Sequence, residues 1–272
     1  VGLYTDFRSM NPTCPQPPAE TDHERRFGGM ARLYGPTALE TLQAARVAVA
    51  GIGGVGSWAA EALARCGVGH LTLIDLDHLA ESNINRQIHA LDATLGQAKV
   101  QAMAERIAQI NPACQLTLHE DFVSADNVDS LLAGHDAVLD CTDDMSAKIA
   151  MVLMARRLRL PLVVCGGAGG KTSVLGLQFG DLADASQDAL LSKLRQKLRR
   201  EHGFAAGRMG SRSPRMGIKA LWYPQAARLP QAWGGQAPQG LSCAGYGSMI
   251  TVTATMGLAA AHAVIEPMLA GA

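Results

Sequence analysis

The feature that most constrains this chain is Gly51-Ile52-Gly53-Gly54-Val55-Gly56, which follows a strand-like run, Arg46 to Ala50, and opens a helix-like segment, Val55 to Cys66. Glycines at this spacing let backbone amides approach a phosphate at a helix N-terminus, where unpaired N–H groups and the helix dipole favour an anion. The next strand-like run, His70 to Ile74, leads into Asp75, at the offset where a carboxylate accepts hydrogen bonds from both ribose hydroxyls. Gly51, Gly53, Gly54, Gly56 and Asp75 therefore predict a nucleotide site, with NAD, FAD and ATP equally open.

Strand-length apolar runs alternate with helix-period segments along most of the chain. This pattern predicts the α/β class: a Rossmann-like, mostly parallel sheet with helices on both faces. Further strands are expected over Cys114 to His119, Ala137 to Leu139 and Leu162 to Cys165. Helices are expected from near Gln97 to Asn111-Pro112, near Ala125 to Leu132, and over Ser146 to Leu160. Thr172 to Phe179 follows a glycine turn without a crossover helix, which predicts an antiparallel C-terminal addition. A basic helix, Asp188 to His202, and a Gly, Ser and Arg-rich surface loop, Gly203 to Gly217, follow. The expected organisation is a flexible tail over 1–21 and a single domain over 22–272 with a basic insertion around 187–219.

Basic and acidic residues number 24 each, so any attraction to a polyanion must be local. Six cysteines without a CxxC pair fit reduced thiols in the cytoplasm and imply no structural zinc. Ala244 to Ile265 is uncharged and long enough for a bilayer, but its glycines and threonines suit a closely packed core strand or helix, so no membrane span is expected.

Charge chemistry narrows the nucleotide. Ser82-Asn83-Ile84-Asn85-Arg86-Gln87 and Gly96-Gln97-Ala98-Lys99 bring an Arg and a Lys toward the sheet's carboxyl edge. A triphosphate whose α-phosphate must become electrophilic uses both cations, whereas a dinucleotide rarely needs them. Asp140-Cys141-Thr142-Asp143-Asp144 ends the next strand at the same edge. Asp143, with Asp144 as the alternative, is placed to hold Mg²⁺ against ATP; N-capping the following helix is the structural alternative for both. Gly166 to Thr172 imitates a P-loop but lacks its first glycine and its helix, so it reads as a turn lining a substrate cleft with Lys171 near the substrate.

The ordered set GIGGVG, LTLIDLD, SNINRQ, GQAK and LDCTDD resembles the ubiquitin-activating superfamily, including its molybdopterin-synthase and thiamine-biosynthesis adenylyltransferases. That resemblance implies Gly53, Asp75, Asn83, Arg86 and Lys99 on the nucleotide, with Arg86 and Lys99 acting on phosphate, and Asp143 on the metal. The carrier-protein activators commonly have paired CxxC zinc ligands, which this sequence lacks, and an N-terminal Arg-x-x-Arg, where Gly29 replaces the second Arg and Arg26 or Arg32 is left to serve the partner subunit.

RFGGMARLYG, GIGGVGSWAAEALAR, NRQIHAL, AERIAQINP, CGGAGG and SCAGYGSMITVTAT give a closer resemblance to the tRNA threonylcarbamoyladenosine dehydratase family. It implies ATP-dependent activation of the carboxylate of a threonylcarbamoyl group on an adenosine beside the anticodon. An internal nucleophile then closes a ring and displaces AMP. The same resemblance implies a homodimer, no carrier protein, and a contribution from Cys243. Lys193, Arg195, Lys197, Arg199, Arg200, Arg208, Arg212, Arg215 and Lys219 are opposed within their span only by Glu201, which suits a tRNA backbone, a solvated helix face being the other reading. An activator of a ubiquitin-like carrier protein is the alternative function.

Overall fold

The computed structural model describes residues 22–206, 214–229 and 246–270. Two helices, α1 (His23–Tyr34) and α2 (Ala38–Ala44), precede the sheet where sequence patterning marks no element. The chain then lays down β1 (Arg46–Ala50), α3 (Gly56–Arg65), β2 (His70–Ile74), α4 (Lys99–Ile110), β3 (Gln115–His119), α5 (Val128–Leu132), β4 (Ala137–Asp140), α6 (Met145–Leu158) and β5 (Leu162–Cys165). The later elements are β6 (Gln178–Asp181), α7 (Ala189–Glu201), β7 (Lys219–Trp222) and α8 (Ile250–Ala270).

The seven strands lie in the order β3-β2-β1-β4-β5-β7-β6. All neighbours are parallel except β6 and β7. Strand periodicity assigns alternate side chains to opposite faces. Val47 and Val49 of β1 join one core, with α3, α4 and α8; Ala48 and Ala50 join the other, with α5, α6 and α7. A strand buried on both faces must be apolar throughout, which is why β1, β4 and β5 read as continuous apolar runs. The direction of strand order reverses between β1 and β4, and a crevice opens there at the carboxyl ends.

The antiparallel addition exists but not over Thr172 to Phe179. Thr172 and Ser173 donate their amides to the Gln225 side chain, and Leu175 is 95% exposed. The strand begins only at Gln178 and pairs with β7, which lies between it and β5. Ala220, Leu221 and Trp222 are buried, so β7 takes the inner position and β6 the edge.

The apolar segment near the C-terminus is α8, which has the length and apolarity of a bilayer span. Half of that span is buried. A Cβ on Gly257 would overlap the Val55 carbonyl and lie 2.8 Å from Trp58 Cβ, so only glycine permits this contact between α8 and α3.

Candidate active site

The glycine loop is shaped by two backbone approaches. Gly51 has φ +85°, and a Cβ there would lie 2.9 Å from the Cys141 carbonyl and the Thr142 amide. A Cβ on Gly56 would overlap the Gly51 carbonyl, so α3 begins where it does only with glycine at its first position. Gly53 faces open space, while Gly54 receives the aliphatic stem of Arg86 at the 3.3 Å a Cβ would meet.

Asp75 closes the loop from the side. Its Oδ2 accepts from the Ile52 amide at 2.6 Å and its Oδ1 from the Asp77 amide at 2.9 Å. Burial pushes the Asp75 carboxyl above its ordinary range, while Lys99 and these two amides oppose the rise. Lys99 is 6% exposed, with Nζ 2.6 Å from Asp77 Oδ2 and 3.5 Å from Asp75 Oδ1. Asp77 itself is largely exposed, so its hold on Lys99 is one a phosphate can replace.

Arg86 Nη1 donates to the Ser82 carbonyl at 2.6 Å and to Asn85 Oδ1 at 3.0 Å. Its own carbonyl accepts from Trp58 Nε1 at 2.9 Å, fixing the loop against α3. Asn83 Oδ1 accepts from the Ala80 amide at 3.0 Å, so its immediate task is shaping this turn.

At the end of β4, Asp144 Oδ1 accepts from the Ala147 amide at 2.7 Å and caps α6. Capping engages Asp144, and Asp143 beside it lines the same cavity. Among the described residues no group of three or more acidic, His or Cys side chains forms a metal cage. One carboxylate beside a phosphate-sized cleft fits Mg²⁺, which takes most of its ligands from phosphate and water.

Gly51, Gly53, Gly54, Asp75, Asn83, Arg86, Lys99 and Asp143 all line one cavity of about 500 Å³. Gly56 stands behind it as a structural requirement. Lys171 does not reach this cavity. It is buried, donates to the Gln187 carbonyl at 3.0 Å and to the Gln225 carbonyl, and lines a second cavity. Cys243, Arg208 and Arg212 lie outside the described residues.

The basic helix is α7, and its cations are not equivalent. Lys193 and Arg200 are exposed. Arg195 Nη1 donates to the carbonyls of Leu182 and Ala185 at 3.1 and 2.7 Å, Arg199 Nε to the Ala205 carbonyl at 3.1 Å, and Arg200 pairs with Glu201. Backbone bracing therefore engages two cations that composition counts as available for a polyanion. Arg26 is committed as well, donating to the Ile110 carbonyl at 2.8 Å.

Four residues that the sequence did not single out also bear on the site. Phe122 follows β3 and stands 62% exposed at the mouth of the nucleotide cavity; an aromatic just past a strand's carboxyl end is the signal that marks it. Asp140 and Lys148 form an ion pair at 3.1 Å with both side chains fully buried. Lys148 also donates to the Cys165 carbonyl at 2.9 Å, and Asp140 accepts from the Thr142 hydroxyl at 2.8 Å, tying β4, α6 and β5 together beneath the site. Cys141 also lines the cavity, 3.9 Å from Cys165 Sγ; that contact and burial push its thiol well above the ordinary range.

The chain is similar to known proteins over most of its length. The chain is 43% identical over 258 residues to the tRNA threonylcarbamoyladenosine dehydratase of Escherichia coli (strain K12), covering 91% of this chain and 95% of that one. It is 40% identical over 253 residues to the Haemophilus influenzae enzyme of the same name, again covering 91% and 95%. The crystal structure of the E. coli dehydratase, TcdA, in complex with ATP superposes with a TM-score of 0.82 at 42% identity, over 92% of this chain and 97% of that chain. A ThiF family model matches residues 27–269, and the chain belongs to the ThiF family.

Proposed function

We propose that this protein uses ATP to dehydrate N6-threonylcarbamoyladenosine in tRNA, closing a ring through an acyl-adenylate. The observation that carries the reading is the convergence of the glycine loop, Asp75, Arg86, Lys99 and Asp143 on one cavity in a chain spanning nearly all of an ATP-bound relative.

In the first step a substrate carboxylate oxygen attacks the α-phosphorus. The new O–P bond forms as the bond to pyrophosphate breaks, and pyrophosphate leaves with the electron pair. The loop amides around Gly53 cradle phosphate, and Asp75 accepts from the ribose. Arg86 and Lys99 stabilise the charge that grows on the transferring phosphate. Asp143 would hold Mg²⁺, which when bound would supply further neutralisation of phosphate charge. In the second step an internal nucleophile attacks the acyl carbon, the carbon–oxygen bond to AMP breaks, and the nucleophile's proton passes to solvent. The oxygen lost from the substrate thus departs on AMP.

The tRNA backbone runs along α7, with Lys193, Lys197 and Arg200 on its phosphates and Arg195 and Arg199 adding field from their braced positions. No carrier protein takes part. The active form is a homodimer. The exposed Ile250 and Leu258 of α8, 43% and 49% exposed, supply apolar surface for such a pairing, and sedimentation tests it. The free thiols of Cys66, Cys114, Cys141 and Cys165 accord with a reducing cytoplasm.

Isotope transfer provides the test. With modified tRNA carrying ¹⁸O in the threonyl carboxylate, the expected result is label in AMP, none in pyrophosphate, and a dehydrated nucleoside. Label released in water, or turnover that requires a small carrier protein, defeats this mechanism.

A further inference from the structure

Beside the nucleotide cavity lies a second one of about 890 Å³, and the two share Asp143, Asp144 and Leu190 as a common wall. None of the glycines, ribose carboxylate or phosphate-directed cations of the first cavity reaches it. Its size falls in the range of about 300–1,000 Å³ that holds a small-molecule ligand.

Cross-links hold its walls in place. Lys171 ties the carbonyls of Gln187 and Gln225 together across the base. Gln187 Oε1 accepts from the Ala226 amide at 3.0 Å, joining the approach to α7 with the segment after β7. Asp188, 4% exposed, accepts from the Gly167 amide at 2.9 Å and from the Leu191 amide at 2.9 Å, locking the glycine turn to the start of α7. Polar groups committed this way favour a cavity that exists before its ligand arrives.

We infer that this second cavity receives the threonylcarbamoyl-bearing nucleoside, an inference that rests on the proposed reaction. A ligand here meets the nucleotide across the Asp143 wall, which is where a carboxylate must reach the α-phosphate. Lys193 lines the cavity, and Arg200 lies seven residues further along α7, about 10 Å at helical rise. A base extruded from a single-stranded loop into the chamber leaves its flanking phosphates beside this helix. Lys171 then acts as a strut of the chamber, and its ammonium serves carbonyl oxygens.

Two filling variants from opposite walls test the chamber. Ala189 is the exposed first residue of α7, and Ala226 is exposed across the cavity, so Ala189→Trp and Ala226→Trp place bulk in the space without replacing core. The probe is free N6-threonylcarbamoyladenosine, titrated by calorimetry with a non-hydrolysable ATP analogue present, alongside turnover of modified tRNA and a separate titration of the analogue alone. Wild-type protein is expected to bind the nucleoside. Each filled variant is expected to lose about 10-fold or more of that affinity and of kcat/KM for tRNA, with affinity for the analogue within about twofold.

Wild-type protein that turns over tRNA without binding the nucleoside overturns the chamber and leaves the reaction standing. So do two filled variants that bind the nucleoside as tightly as wild type, or chamber binding by the C-terminal peptide of a carrier protein. Wild-type protein that makes no dehydrated product sinks the reaction itself and, with it, the inference built on it.

Discussion

Under the proposed function the first cavity and the basic face of α7 both present cations to phosphate, yet they are built in opposite ways. Lys99 is buried and held by two carboxylates, and Arg86 is anchored to backbone and stacked along Gly54. Lys193 and Arg200 stand in solvent. A phosphoryl-transfer step rewards charge fixed before the reaction, because reorganisation then costs little at the transition state. Backbone binding rewards many weak, screened interactions, for which exposed side chains suffice. Arg195 and Arg199 belong to neither pattern: they neutralise orphan carbonyls and hold the α7 region together.

Breaking the glycine loop is expected to have the largest effect on this contrast. Gly56→Ala drives a Cβ into the Gly51 carbonyl, so ATP binding is expected to vanish in a titration while the apolar sheet still forms. An ATP affinity near wild type would show that α3 can start elsewhere.

Next come Arg86→Ala and Lys99→Ala. Each is expected to lower adenylation by about 100- to 1,000-fold at saturating ATP, roughly 3–4 kcal/mol of transition-state stabilisation. Pyrophosphate exchange in the purified, folded variants measures this. The two carboxylates divide the work differently: Asp75→Ala is expected to be partly rescued by raising ATP, and Asp143→Ala is not. Matching rescue curves for the two would erase the division between ribose and metal roles.

An acid-sensitive element lies behind the same cavity. His89 is 2% exposed, its ring nitrogens have no hydrogen-bond partner among the described residues, and burial, with Lys99 and Arg106 nearby, depresses it to about 4. A folded pKa below the unfolded 6.5 means the unfolded chain binds more protons between those values, so stability rises with pH across that window and is lost on acidification. The loss from pH 6.5 toward 4 is on the order of 3 kcal/mol. Denaturation midpoints for wild type and His89→Leu, compared across this range, are expected to show wild type losing stability as pH falls from 6.5 toward 4 and the variant losing less; equal losses would remove His89 as the acid-sensitive group.

The smallest effects belong to α7. Lys193→Gln with Lys197→Gln is expected to weaken tRNA binding a few-fold and flatten its log–log salt slope by ~0.7–0.9 for each phosphate no longer neutralised, leaving ATP affinity alone. Arg195→Gln is expected to behave differently, destabilising the fold by about 1–3 kcal/mol as two carbonyls are deprived of their donor. An unchanged melting temperature for Arg195→Gln would return that residue to the solvated face.

The candidate nucleotide site was legible because its parts are local. The glycine turn, Asp75 at the end of β2 and Asp143 at the end of β4 each follow an apolar strand, and parallel strands bring their carboxyl ends to one edge. Phe122 was less legible, since the loop that carries it shows no period. The buried Asp140 and Lys148 pair was hidden because charge in a sequence says nothing of burial.

Sequence by itself determined the α/β class and the glycine turn at the carboxyl edge of the sheet, since strand and helix periods and glycine sterics act over a few residues. Tertiary structure alone decided that β7 separates β5 from β6, that Asp144 caps a helix beside Asp143, and that Lys171, Arg195 and Arg199 serve backbone carbonyls. Those outcomes depend on which buried polar groups lack partners once the chain is packed. Burial makes an unpaired carbonyl costly, and the nearest long cation resolves it whatever its spacing in the sequence.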